Sequence, residues 1–199
     1  LDSHAPKDTP QHRPRDLRLG SVSIRHGSIA YNQRDIASAA GVFSPQHIGI
    51  SNLSAHIALH HLTDNDIHLS IKKIAFTDKS GLQVKNLRFK VNADKHQARL
   101  SDFQLELPKS HLLLEDLIAT YRTNEKGTLI SETLQFEGGI KPSLITLSDV
   151  ACFAPILRKW NDALYIDPHF SGTSTSARIH QPHSKTQSGS ILLKANAQA

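Results

Sequence analysis

Thirteen histidines in 199 residues make metal binding the first chemistry to weigh. His56 and His60 stand four apart in an alternating segment, so both fall on the polar side of one strand, with His61 adjacent. His68 falls on the next strand, across a turn. Zinc needs three or four ligands converging at about 2 Å. Histidines at alternating solvent-facing positions do not supply that convergence, so they read as solvated imidazoles and no metal site is expected. His180 and His183 flank Pro182 in a polar turn and are weaker still.

Covalent catalysis has less support. No G-x-S-x-G elbow occurs. Cys152 is the sole cysteine, which excludes an intrachain disulfide and a Cys-based zinc site. Its neighbour Phe153 makes a buried, inert thiol the expectation. Asp64 and Asp66 sit in a turn, and Glu115 and Asp116 on a strand face, so neither pair is arranged for acid–base work. No glycine-rich phosphate loop appears. Asn52-Leu53-Ser54 matches a glycosylation sequon but lies in a predicted strand. The chain reads as a non-enzyme without a cofactor.

Composition narrows the class further. Lys and Arg number 23 against 18 Asp and Glu, a formal charge of +5. No basic run interleaved with aromatics accompanies it, so nucleic acid is not an expected partner. Apolar residues make up 38% and aromatics 6% of the chain, lean but above the disordered range. No apolar run approaches the roughly 18 residues of a membrane span. A secretory-leader pattern is missing, methionine is absent and residue 1 is Leu. These features predict an excised piece of a longer protein, with any anchor outside it.

The elements that would position any site come from one pattern. Residues 1–16, with three prolines and six charges, read as a linker. From Leu17 apolar and polar residues alternate, the period of a strand with one apolar face. The series runs through Leu17, Leu19, Val22 and Ile24, then Ile48, Ile50, Leu53, Ile57 and Leu59. It continues through Ile67, Leu69, Ile71, Ile74 and Phe76, then Leu82, Val84, Leu87, Phe89 and Val91. Leu100, Phe103, Leu105 and Leu107 follow, then Leu112, Leu114, Leu117 and Tyr121, and last Leu134 and Phe136. Turns are expected at 63–66, 78–81, 92–95, 108–110, 124–127 and Gly138-Gly139. Such short connections favour antiparallel neighbours, hence an all-β antiparallel meander. Later strands are expected around Leu164–Ile166, Phe170–Ile179 and Ser190–Lys194.

Alternation slips once in each of five places: Ile50-Ser51-Asn52-Leu53, Ile71-Lys72-Lys73-Ile74, Val84-Lys85-Asn86-Leu87, Leu100-Ser101-Asp102-Phe103 and Leu114-Glu115-Asp116-Leu117. A slip would flip every later side chain unless a β-bulge absorbs it and bends the strand. Aligned bulges would curl the sheet into an open hydrophobic groove. Two segments break the pattern. Residues 31–47 form a long connection expected over one edge. Residues 148–160 read as a short helix with Ser148 as N-cap, Asp149 in the first turn and a kink or stop at Pro155. Its stripe of Val150, Phe153, Leu157 and Trp160 would cap one end of the sheet.

The apolar face needs cover: a second sheet making a sandwich, closure into a barrel, or a ligand with an apolar body. Leu and Ile outnumber the aromatics, which suits an alkyl chain. The expected lining is Ile50, Leu53, Ile57, Leu69, Ile71, Ile74, Val84, Leu87, Phe89, Leu100, Phe103, Leu105, Leu114 and Leu117.

Gly27-Ser28-Ile29-Ala30-Tyr31, then Phe43-Ser44-Pro45-Gln46-His47-Ile48 leading into Ile50-Ser51-Asn52-Leu53, resembles the amino-terminal periplasmic region of TamB-like proteins of Bacteroidetes. So does Ser148-Asp149-Val150 with Phe153-Ala154-Pro155, followed by Phe170-Ser171-Gly172. The likeness spans roughly residues 17–180, carried by motif order and by the repeated slip. Ser44 stands where the family pattern has Asp, and the family's carboxy-terminal signature domain is absent. The resemblance implies an AsmA-like protein of a Gram-negative envelope, anchored in the inner membrane outside this fragment and crossing the periplasm. Its curled sheet would shield phospholipid or fatty acyl chains during lipid transport and outer-membrane assembly. A TamA-type barrel would be met by parts outside this fragment. It implies no catalytic residues. A closed sandwich serving as a structural or interaction domain is the other reading.

Overall fold

Alternation of apolar and polar residues writes strands along almost the whole chain, and the computed structural model joins them in one antiparallel sheet of 13 strands. It describes residues 16–17, 20–37, 39–63, 66–125, 127–160, 162–180 and 184–186. The strands are β1 (Asp16–Leu17), β2 (Ser21–Asn32), β3 (His47–Thr63), β4 (Ile67–Asp78), β5 (Gln83–Ala93), β6 (Gln97–Glu106), β7 (His111–Leu114), β8 (Leu117–Thr123), β9 (Leu129–Thr146), β10 (Ala163–Ile166), β11 (His169–Thr173), β12 (Ala177–His180) and β13 (Ser184–Thr186). Strands β3 to β6 pair in sequence order. Beyond them β7 and β8 lie end to end between β6 and β9. The other side of β9 takes β10 and β11, which pair with β13 and β12. The fold is therefore all-β and antiparallel, as the alternation predicts.

The slips in alternation are structural. Register shifts fall at Ser51/Ser54 in β3, Ile71/Ile74 in β4 and opposite Val84–Leu87 in β5. Another falls opposite Ser101–Gln104 in β6. At Leu114-Glu115-Asp116-Leu117 the chain goes further and breaks into β7 and β8. This break faces the β6 bulge, since Leu100 pairs with Leu117 and Gln104 with Leu113. Asn52 and Asp102 hold φ of 52° and 54°, the left-handed region that Asn and Asp tolerate best among residues with a side chain. His26 does the same at φ 52°. Its bulge escapes the sequence pattern because Gly27, not an apolar residue, follows it.

Five expectations are corrected. The 148–160 segment is not an α-helix but two short 3₁₀ turns, Leu147–Val150 and Pro155–Lys159. Pro155 drives Ala154 into extended backbone, φ −144° and ψ 95°, because the proline ring disfavours the helical region for the residue before it. The N-cap is Thr146, not Ser148, and its side chain makes no capping bond. Gly138-Gly139 is not a turn but lies inside β9. A Cβ at Gly139 would meet Glu115 Oε2 at 2.7 Å and His169 Cδ2 at 2.9 Å, so these glycines mark close approach of neighbours. Phe170–Ile179 is two strands with a turn between them. Of the expected linker, Asp16 belongs to β1. Residues 1–15, Leu19, Asp64, Asn65, Lys126, Pro182, His183 and Ser190–Lys194 lie outside the described residues.

The core sits at one end of the sheet. Leu82, Val84, Leu107 and Cys152 are buried there, with Phe43, Phe76, Leu87, Leu105 and Val150 packed against them. The 33–46 connection reaches this end through Phe43, whose N–H donates to the Cys152 carbonyl at 2.9 Å. Buried His47 holds the base of that connection between the Asn32 side chain and the Ile36 carbonyl.

Candidate functional site

Directly paired residues in an antiparallel sheet share a face, and the register lines the apolar residues into rows. One row runs Leu59–Leu69–Val91–Leu100–Leu117 across β3, β4, β5, β6 and β8. It continues past Gly138, whose added Cβ would touch Leu117 at 3.1 Å, to Phe170 and Ile179. A second row is Val22–Ile57–Ile71–Phe89. Phe89 stacks on Phe103 at 6.2 Å between ring centres. A third row is Ile24–Ala55–Ile74–Leu87–Leu105–Leu112.

All fourteen expected lining residues take identifiable places. Ile57, Leu69, Ile71, Ile74, Leu87, Phe89, Leu100, Phe103, Leu105 and Leu117 belong to these rows. Val84 pairs with Phe76, Leu114 with Ile140 and Leu53 with Gly27. Ile50 stands between Ile29 and Asp78 at the end nearest the core. Leu53, Ile71 and Val84 are buried and the other eleven are half-buried. Among the described residues only five branched aliphatic side chains are buried at all: Leu53, Ile71, Leu82, Val84 and Leu107. A face so rich in Leu and Ile would be buried outright under a second packed layer.

The opposite face carries charge. Arg88, Gln104, Leu113 and Lys141 pair across β5, β6, β7 and β9. Asp102 at the β6 bulge bonds Lys90 at 2.7 Å. Lys90, with Arg88 and Lys141 nearby, holds the Asp102 carboxyl below its ordinary range. A hollow of about 520 Å³ opens at this bulge line. It is lined by apolar Ile71, Phe89, Phe103 and Leu114 together with Lys72, Arg88, Lys90 and Lys141. A second hollow of about 490 Å³, at β8, β9 and β11, has a more polar lining that includes Thr120, Glu137, Ser171 and Arg178.

The residues weighed for chemistry are dispersed. His61 and His68 face each other at 6.1 Å between ring centres. His60 instead bonds the Ser70 hydroxyl at 3.2 Å, and His56 lies opposite Lys73. Among the described residues no three His, Cys, Asp or Glu side chains stand together as a metal site would require. Burial pushes the Cys152 thiol up, toward the unreactive protonated form. Glu115 pairs with His169 at 3.2 Å and Asp116 with Arg99 at 3.3 Å. Asn52 is exposed at the β3 bulge. His180 Nε2 lies 3.0 Å from the Ser171 hydroxyl.

Sequence reading missed the buried polar groups that finish the scaffold. The Ser143 hydroxyl donates to the Lys141 carbonyl at 2.6 Å and accepts from Leu113 N–H at 2.9 Å, bridging the β7–β9 register shift. Ser110 accepts from Thr146 N–H and donates to Asp149, both at 2.8 Å. Asp149 thus ties the first 3₁₀ turn to the β6–β7 hairpin. Hydroxyls in strands and polar turns carry no sequence mark that separates these roles from solvation. No known family, curated protein or solved structure was found to match the chain.

Proposed function

We propose that the chain is a non-enzymatic, periplasmic segment of a bridge-like envelope protein, and that its apolar sheet face shields lipid acyl chains during phospholipid transport and outer-membrane biogenesis. The observation that carries this reading is the set of apolar rows, the longest crossing eight strands, whose members are mostly half-buried, with Ala55 and Ile71 buried and Val22, Ile24 and Ile179 exposed on the outer strands β2 and β12. Bulges bend strands, and the bulges of β3 to β6 would curl this face into an open groove. An aliphatic wall gains about 0.8 kcal/mol per methylene it covers. Because successive rows are alike, neighbouring registers hold a chain about equally, which permits sliding.

The resemblance to TamB-like proteins points the same way. On that reading the longer protein is anchored in the inner membrane, and a TamA-type barrel is met by parts beyond this segment. A closed sandwich used for protein interaction is the alternative. It is disfavoured by the single sheet and the few buried aliphatics.

The test is a fluorescent fatty-acid probe titrated into the protein and into Leu87→Asp and Leu105→Asp. The wild type should bind, and both variants should lose binding while still unfolding cooperatively. A charge on an open face stays wet, so the stability loss should be about 1–3 kcal/mol. A wild type that ignores the probe, with either variant unfolded outright, would reject the groove in favour of a closed core.

A further inference from the structure

The 3₁₀ segment that closes the core end also points three large apolar groups outward. Phe153 is 57% exposed, Ile156 68% and Trp160 46%, all within eight residues. Phe153 leans on Phe43 at 5.3 Å and is otherwise open to solvent. Exposed apolar groups clustered this tightly are uncommon on a soluble surface without a partner. Their setting is cationic. Arg158 and Lys159 stand in the same turn and are exposed, Arg158 also donating to the Gly41 carbonyl. Lys79 and Lys109 are exposed on the adjoining hairpin turns. The carboxylates of this end are largely engaged inward. Asp78 accepts from Gly49 N–H at 3.0 Å and Ser80 N–H at 2.8 Å. Asp149 accepts from Lys109 N–H at 2.7 Å and from the Ser110 hydroxyl. Arg34 and Asp35 are both exposed and together add no net charge, and Asp162 is half-buried.

We infer that this tip docks on the surface of an anionic phospholipid bilayer. Phe153, Ile156 and Trp160 enter the headgroup boundary while Lys159, Lys79, Lys109 and Arg158 meet lipid phosphates. Trp and Phe beside Lys and Arg is the combination that the membrane interface selects. The turns are four and five residues long and leave backbone groups that need water, so the tip sits at headgroup depth and does not cross the hydrocarbon. This docking does not depend on the acyl-chain reading. It concerns the outer surface of the capped end, not the apolar rows.

Trp160 is the only tryptophan, so its emission reports the tip directly. Vesicles of phosphatidylcholine with phosphatidylglycerol should shift that emission to the blue, and shallow spin-labelled lipids should quench it. Phe153→Ser with Ile156→Ser should weaken vesicle binding roughly 25-fold, about fivefold for each side chain. Lys159→Glu should weaken it by a similar factor at low salt, since each cation near such a surface contributes about fivefold. Both variants should keep the β circular-dichroism spectrum and the fatty-acid affinity of the wild type, which separates this site from the apolar rows. No blue shift with anionic vesicles would overturn the proposal. So would equal binding to uncharged vesicles, or a blue shift that follows protein concentration without lipid, which would make the tip a contact between copies.

Discussion

The two ends of the apolar face are built from the same alternating residues and finish differently. At the capped end the 33–46 connection and the 3₁₀ turns fold over the sheet. Leu82, Val84 and Leu107 fall to 6–8% exposure there. At the far end nothing described folds over. Ile67 and Leu129 remain 39% and 44% exposed. Composition does not separate the two ends, since each offers aliphatic rows. What separates them is whether a loop long enough to return is inserted nearby. The cap buries this end of the face, while within the strands Leu53, Ala55, Ala58 and Ile71 are buried as well.

Matched truncations test this contrast most strongly. Leu107→Ala removes packing from a buried cluster and should cost about 2–5 kcal/mol. Leu117→Ala on the half-buried row should cost less than half as much, because the vacated space opens to solvent. Urea denaturation of both variants measures the difference. Equal losses would mean that the far end is covered as well.

A smaller effect sharpens the same contrast through a polar group at the cap. Burial raises the Asp78 pKa, but the Ser80 hydroxyl beside it and the N–H groups of Ser80, Gly49 and Lys79 outweigh this and hold it below its ordinary value. A carboxyl lowered in the folded state stabilises above its unfolded pKa, and that contribution is lost as pH falls through the folded one. Asp78→Ala should therefore cost roughly 1–3 kcal/mol at neutral pH by orphaning the Gly49 and Ser80 N–H groups. The gap between variant and wild type should narrow below about pH 4. A gap that does not change with pH would remove the carboxylate from the account.

These contrasts follow how legibility was distributed. Strands and bulges are local, so Leu100-Ser101-Asp102-Phe103 shows its slip without help from the rest of the chain. The cap is not local. Val150, Phe153, Leu157 and Trp160 mimic a helical stripe, yet Val150 and Cys152 turn to a core supplied by Phe43 and the β5–β6 region, while Phe153 and Trp160 turn out. Gly138-Gly139 carries a turn signal, but the two glycines lie where Phe170 and His169 approach closely from a later strand. Ser110, Ser143 and Asp78 bond backbone 29 to 36 residues away, a distance at which residue type alone says nothing. The apolar rows were legible as a set because period two fixes a face whatever the tertiary outcome.

The most direct test of an uncovered, acyl-binding face is cysteine accessibility along it. In a Cys152→Ala background, Leu100→Cys on the half-buried row and Leu82→Cys in the capped cluster are labelled with a maleimide, with and without fatty acid. The account predicts fast labelling at position 100 that fatty acid suppresses, and slow labelling at position 82 that fatty acid leaves unchanged. Slow labelling at both positions, or labelling at position 100 indifferent to fatty acid, would contradict it.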